Sequence, residues 1–403
     1  MARTEYDQDW TIAAPYAEGA ALQLARGLDR MRKLDRLILP SKLVKNAFVR
    51  PSGANVGDRS AQIGIEPSRL LEIAPSLEVI RLGARLGLFS GGRTDPMRAI
   101  RQPFDQAAAK IVRDANILLG MPGASARMFE TCGRAHRVLH QVDAHPRARN
   151  TILSDVYGSK ARRELLPLAL VERIERELAL AEVVLVPSQG VAQQMKTAGL
   201  DSSKILTVPY GVDRDRFFAE CTTTREPGKV RLLYVGQISY RKGLPFLLEA
   251  VKGQKVTLDL VGPRVAKELI DKLPDNVRYH PVVAHHQLRA MFNKADAFVL
   301  PSVEDAYGLV VGEALASGLP IITTTATGAS EVLEAGDGHV VEPADTLQLR
   351  RAISETEPLP SLERLARAAN VSGRVSAGRL NDWDRFTVEV LDGVSGAAKR
   401  RGA

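Results

Sequence analysis

Short apolar runs alternate along this chain with stretches whose apolar residues recur every three or four positions, which predicts strands separated by helices. In the first half the runs fall at 11–15, 37–40, 77–80, 116–120, 138–142, 183–187 and 205–209. In the second they fall at 230–235, 256–261, 277–279, 297–301, 319–323 and 339–341. Helical periodicity occupies 20–31, 162–181, 245–252, 265–273 and 309–317, and returns at 362–370 and 379–390. Strands apolar on both faces belong in parallel sheets covered by helices. The expected fold is therefore α/β, with two Rossmann-like doubly wound domains facing a central cleft. The first would span 1–208 and the second 209–375, with a polar hinge at 222–228. A C-terminal helix over 376–403 would cross back to the first domain and end in a disordered tail from Lys399.

One segment carries the most chemistry. In VLPSVEDAYGLVVGEALASGLPIIT, a strand, a polar loop, a helix from Leu309, a stop at Gly318 and a second strand follow one another without spacers. The loop opens on a helix N-terminus, where unpaired N–H groups and the helix dipole favour an anion such as a diphosphate. Asp305 precedes that helix, Glu313 lies eight residues later, and Glu304 stands beside the first. Carboxylates accept paired hydrogen bonds from vicinal hydroxyls, as in ribose and hexose rings. Acids at helix starts also serve as plain caps, so this pattern alone leaves both readings open.

A second segment complements it. After the run at 230–235 comes Gly236-Gln237-Ile238-Ser239-Tyr240-Arg241-Lys242-Gly243, a glycine turn with two cations at the mouth of a helix. Fixed positive charge there suits a diphosphate, although a simple capped turn has the same outline. Gly19, before the first helix, can let a ligand approach the backbone.

The 403 residues suffice for two cores, and 45% hydrophobic with 25% charged residues is the balance of a globular protein with no apolar run of spanning length. Met1 to Trp10 is polar and does not read as a cleavable leader. Cys132 and Cys221 fall in different halves and read as free thiols of a reducing compartment. Residues 1–208 hold 30 Lys and Arg against 22 Asp and Glu, while the remainder is balanced, so the whole excess of +8 sits in the first half. An acidic acceptor would be met there, unless that charge is only a solvated surface. The stretch 80–102 mixes Arg81, Arg85, Arg93, Arg98 and Arg101 with leucines and Phe89; it fits either a membrane surface or a helix on the sheet followed by an exposed loop. No HxxxH, CxxC or acid cluster has metal-ligand spacing.

Together with PSQGVAQQM (187–195) and VPYGVDRDRF (208–217), the order of these motifs resembles the family-four retaining glycosyltransferases of the GT-B fold, most strongly over 182–345. The resemblance implies a hexose moved from a UDP- or GDP-linked sugar to a hydroxyl acceptor, with no cofactor beyond that donor and no metal. The acceptor would be a sugar, a glycolipid or a small hydroxyl compound. Lys242 would hold the diphosphate, Glu313 the ribose hydroxyls, the backbone of Tyr307, Gly308, Leu309 and Val310 the phosphate and sugar, and Asp305 or Glu304 the sugar hydroxyls. Gly19 and Gly236 would approach the phosphates. The family's arginine after the first glycine is Gln237 here, and Arg241 would restore its charge. A histidine ending a first-domain strand would face the sugar: His145, with His140 as the alternative. His280, His285 and His286 read as surface residues, and base recognition falls to loops after Val261 and Val282. The implied location is cytoplasmic, with peripheral contact at an inner membrane face open to the basic domain and no nucleic acid partner. An epimerase or phosphorylase on the same fold, or a catalytically weak nucleotide-sugar-binding protein, are the competing readings.

Overall fold

A computed structural model describes residues 9–16, 19–40, 63–73, 98–220 and 229–402. Its elements run β1 (Trp10–Ala13), α1 (Gly19–Arg30), β2 (Leu34–Pro40), β3 (Leu70–Ile73), α2 (Arg98–Ala108), β4 (Ile117–Gly120), α3 (Ala126–Thr131), β5 (His136–His140), α4 (Pro146–Tyr157), α5 (Leu168–Leu180), β6 (Val183–Val186), α6 (Gln189–Thr197) and β7 (Ile205–Thr207). The second series is β8 (Val230–Val235), α7 (Leu244–Val251), β9 (Val256–Val261), β10 (Val277–His280), α8 (His285–Lys294), β11 (Ala297–Leu300), α9 (Leu309–Ala316), β12 (Ile321–Thr324), β13 (Gly338–Val341), α10 (Thr346–Ser354), α11 (Ser361–Ser376) and α12 (Trp383–Gly402).

Each series closes on its own sheet. The first is seven-stranded in the order β3-β2-β1-β4-β5-β6-β7 and the second six-stranded in the order β10-β9-β8-β11-β12-β13. Every described pairing is parallel. In both sheets the order reverses beside the first strand, and a doubly wound sheet opens a crevice there, outside the carboxyl ends of its strands. The loops after β1 and β4 and those after β8 and β11 are thus the ones topology directs at a ligand.

The structure departs from the sequence reading in ways that have local causes. The helix expected over 162–181 begins only at Leu168, because Pro167 lacks an N–H and stands as its N-cap. The expected helix at 265–273 is a single 3₁₀ turn, Lys267–Ile270. His285 and His286, read as surface residues, are exposed and begin α8. The tail expected to be disordered from Lys399 continues α12 to Gly402. That helix lies on the first domain: a Cβ on Gly27 of α1 would collide with Thr387, one on Gly393 would collide with Leu206, and Arg30 pairs with Asp384. Cys132 is buried and free. The strand expected at 77–80, the hinge at 222–228, Cys221 and most of the basic stretch at 80–102 lie outside the described residues. Among the described residues no helix is long and apolar enough to cross a membrane.

Candidate active site

The cationic turn after β8 and the acidic loop after β11 are stitched together by their backbones. Val303 N–H donates to the Arg241 carbonyl at 2.9 Å and Glu304 N–H to the same oxygen at 3.3 Å. Gly243 makes this approach possible: it sits at φ +69° and a Cβ there would lie 1.8 Å from the Pro301 carbonyl oxygen, so only glycine fits. Gly308 does the same work for the acidic loop. At φ +85° it N-caps α9 and offers no side chain to cap the first turn, whose Val311 N–H donates to the Gly308 carbonyl at 2.9 Å, and a Cβ on it would press on Thr327 at 2.9 Å and on the Asp305 carboxylate at 3.3 Å. Asp305 is held below by its own backbone, whose N–H donates to the Ala326 carbonyl at 3.0 Å and whose carbonyl accepts from Gly328 at 3.0 Å.

Each cation of the turn is matched to an acid. Lys242 Nζ pairs with the Asp305 carboxylate, which also accepts from Ser302 Oγ at 3.4 Å. Arg241 Nη1 donates to the Glu304 carbonyl at 3.2 Å and reaches its carboxylate at 3.5 Å. Burial works against the Asp305 charge, but Lys242 and Arg241 outweigh it and hold this carboxyl below its usual range. Burial also opposes the Arg241 charge, yet Glu304, Asp305, Asp143 and Glu164 around it keep it firmly protonated. Glu304 is raised by burial despite Arg241 and Arg149 beside it. Burial, reinforced by Arg241, lowers Lys242 against the pull of Asp305.

The first domain reaches across this edge with residues the sequence did not single out. Glu164, in the loop before α5, accepts from Tyr240 N–H at 2.7 Å and Arg241 N–H at 3.0 Å, so its carboxylate clasps the cationic turn from the opposite domain. Arg149 of α4 donates to the Glu164 carbonyl at 3.1 Å, and its buried Nε has no partner among the described residues. Asp143, in the loop after β5, contributes to the fields at Arg241, Glu304 and Arg149. The histidines expected there lie elsewhere. His145 N-caps α4, its N–H donates to Gln194 Oε1 at 3.0 Å, and burial lowers its basicity with Glu175 opposing. His140 is wholly buried, 3.0 Å from the Tyr210 hydroxyl, and desolvation drives it down to about 3, which leaves it neutral. No local signal marks Glu164, because its carboxylate's partners are more than 70 residues away in the other domain, and Arg149 is tied only to the Glu164 carbonyl, 15 residues on. Asp143 was within sight, two positions before His145.

The domains meet closely around the cleft. Ser188 Oγ donates to the Ala306 carbonyl at 2.9 Å, and Glu331 accepts from Gln189 and Gly190 N–H at the start of α6, each at 2.8 Å, while Tyr307 Oη donates to the carbonyl of Tyr210 in the segment joining the domains at 3.0 Å.

Between the two sets of loops lies a cavity of about 510 Å³, lined by Gly19, Met121 and Val142 from the first domain and by Gly236, Lys242, Asp305, Tyr307, Gly308, Leu309, Val310 and Glu313 from the second. The cationic turn and the start of α9 therefore face one space. A second cavity of about 540 Å³ shares Gly19, Leu309 and Glu313 with it. Glu313 stands where the two meet. Burial raises its carboxyl to about 7, with Arg216 lowering and Asp213 raising it. A third cavity, about 690 Å³ and lined by Pro245, Lys252, Lys272 and Asn276 among others, contains none of the expected site residues. Arg241, Glu304, Gln237 and His145 are not among the residues lining the first cavity. Among the described residues no group of three or more His, Cys, Asp or Glu side chains is placed to hold a metal ion.

Two facing doubly wound domains with a diphosphate-sized, cation-bearing cleft between them define the GT-B class of glycosyltransferase folds. Residues 229–356 match the family model of Glycosyl transferases group 1. The chain is 28% identical over 255 residues to a D-inositol 3-phosphate glycosyltransferase of Xylanimonas cellulosilytica, a match over 57% of this chain and 60% of that one. It thus spans less than two thirds of that relative's length. Among solved structures it resembles a sucrose-phosphate synthase from Thermosynechococcus elongatus, with TM-score 0.68 and 17% identity over 98% of each chain. It also resembles Anabaena HepE in complex with UDP and glucose, with TM-score 0.64 and 16% identity over 96% of this chain and 99% of that one.

Proposed function

We propose that this chain is a retaining glycosyltransferase that moves a hexose from a UDP- or GDP-linked sugar to a hydroxyl acceptor. One observation carries the reading: Lys242, Gly236, the residues Gly308, Leu309 and Val310 at the start of α9, and Glu313 line a single cavity between the domains. In that cavity the diphosphate lies on the Gly308–Val310 amides and takes Lys242 from Asp305. The released Asp305 carboxylate is then free to accept hydrogen bonds from the sugar hydroxyls, and Glu313 accepts those of the ribose. Arg241 stays paired to Glu304 at the rear and adds its field without direct contact.

The chemistry needs charge stabilised on the departing diphosphate more than it needs a nucleophile. Lys242, Arg241 and the N-terminus of α9 supply positive charge on one side of the bond that breaks, and the Asp305 carboxylate supplies negative charge on the side where the sugar becomes cationic. The acceptor hydroxyl approaches from the first domain, and loses its proton to the leaving diphosphate on the face that the diphosphate vacates. Domain closure through Glu164 and Ser188 excludes water that would otherwise take the sugar. The excess positive charge of the first half favours an acidic acceptor, including a lipid headgroup at a membrane surface.

Product analysis after incubation with UDP- and GDP-sugars and a panel of hydroxyl acceptors tests this reading. Free nucleoside diphosphate together with a new glycoside is the expected outcome. An epimerised donor would favour the epimerase reading, and donor binding with no turnover the catalytically weak one.

A further inference from the structure

The first domain holds two buried acids that the transfer chemistry does not use. Glu177 of α5 and Asp105 of α2 are both fully buried, and carboxylates taken out of water need partners that offset the loss. Their partners are the backbone of one loop. Glu177 accepts from the N–H groups of Gly123, Ser125 and Ala126, the last two at 2.8 and 3.1 Å, and Asp105 from those of Arg127 and Met128, each at 2.8 Å. Arg173 pairs with both acids. The loop leaves β4, which stands beside β1 in its sheet as β11 stands beside β8 in the other, so it is the first-domain counterpart of the loop carrying Asp305 and Gly308. We infer that Glu177 is a positioning residue for the transfer: it fixes the loop after β4 so that Met121 stands in the first-domain wall of the donor cavity. This rests on the transfer reading above.

The contacts run from the acid to the methionine without a break. Ser125 precedes α3, where a serine hydroxyl ordinarily caps the first turn, yet its side chain makes no cap here. Its Oγ donates instead to the Met121 carbonyl at 2.8 Å, which also accepts from Ala124 N–H at 3.1 Å. The amide of the same serine is one that Glu177 holds, so a carboxylate 52 residues on has taken over the capping and left the hydroxyl to Met121. Glycines allow the loop to fold this tightly: a Cβ on Gly120 would lie 2.2 Å from Ser125 Oγ, and Gly123 sits at φ +77°. A side-chain cap serves one amide of a helix start. Here two acids from two helices hold five, which pins the loop to the helices behind it. Met121 then lines the cavity with Gly19 and Val142, in the same space as Lys242, Asp305 and the start of α9.

Steady-state transfer by the full chain, from the UDP- or GDP-hexose it turns over, decides this together with thermal melting and calorimetric titration of UDP and GDP. Glu177→Gln keeps the shape of the side chain but turns one acceptor oxygen into a donor facing a loop N–H. It should lower kcat/KM of the folded chain about tenfold. Affinity for UDP or GDP, held by second-domain groups, should stay within about twofold. Met121→Ala should lower kcat/KM comparably, and the double variant should fall short of the product of the two losses by about threefold or more, because residues acting through one contact do not add. Ser125→Ala leaves the amides on Glu177 and removes only the hydroxyl bond to Met121. It should lower kcat/KM by a smaller factor, and it decides the matter if Glu177→Gln melts below the assay temperature. Lowered melting with unchanged kcat/KM of the folded chain overturns the inference, since a purely structural acid would do that. So does a double variant equal to the product of the singles, or a parallel loss of UDP and GDP affinity. If the parent transfers no hexose, the donor reading fails first and takes this inference with it.

Discussion

The two edges of the cleft are built by different means. On the second-domain side, the groups facing the cavity belong to two continuous segments, 236–243 and 302–313, each a strand end running directly into a helix. On the first-domain side, Asp143, Arg149 and Glu164 come from separate loops and helices, are not among the residues lining the cavity, and bear on the cationic turn only because α4 and the loop before α5 are folded against the second domain. The first kind of edge is positioned by the local geometry of a turn and a helix start. The second is positioned by docking, and its removal should loosen the first without erasing it.

The largest expected effect tests the locally built edge. Lys242→Ala removes a cation from the leaving group, and steady-state kinetics should show kcat reduced by about 10²–10³. Unchanged kcat would detach this turn from the reaction. Next comes the docked edge. Glu164→Ala leaves the Tyr240 and Arg241 amides unpaired, a cost of about 1–3 kcal/mol that should appear as kcat/KM lowered by about 5- to 150-fold. Glu164→Gln, which keeps an acceptor, should recover part of it. Full activity in both variants would show that the second domain holds the turn unaided.

A smaller effect separates binding from folding at Glu313. Its carboxyl titrates at about 7, so donor affinity should rise as pH increases through that value and the ionised group accepts the ribose hydroxyls. Glu313→Gln should abolish that rise, and a pH-independent parent would remove Glu313 from the ribose. The stability consequence has the opposite sign. A carboxyl raised from 4.5 to about 7 on folding stabilises fully below 4.5 and loses that contribution as pH rises through 7. At pH above 7 Glu313→Gln should therefore melt higher than the parent while binding donor more weakly. The smallest effect is expected at His145, which caps α4. His145→Ala should change turnover by less than about threefold, within the ~0.5 kcal/mol typical of substitutions away from critical contacts. A loss as large as that of Lys242→Ala would bring this imidazole into the chemistry and undo the distinction between the two edges.

Much of this protein was legible in its letters. Alternating strand and helix periods predicted two parallel-sheet domains because periodicity is a property of neighbouring residues, and the glycine-cation turn and the acid-bearing helix start could be read for the same reason. Gly243 shows where that reading stops: it looked like the end of a motif, and only the fold revealed that its missing side chain is what lets the turn touch the Pro301 carbonyl. His145 was chosen from a sequence neighbourhood that also held Asp143, and the fold decided that the Asp143 charge is felt at Arg241 and Glu304 while His145 N–H bonds Gln194. The sequence by itself determined the elements and the chemistry each carries, since those depend on residues a few positions apart. The tertiary structure alone decided which cations are already neutralised, which acid crosses from the other domain and where Glu313 divides two cavities, because each depends on distances between chain segments that no local pattern encodes.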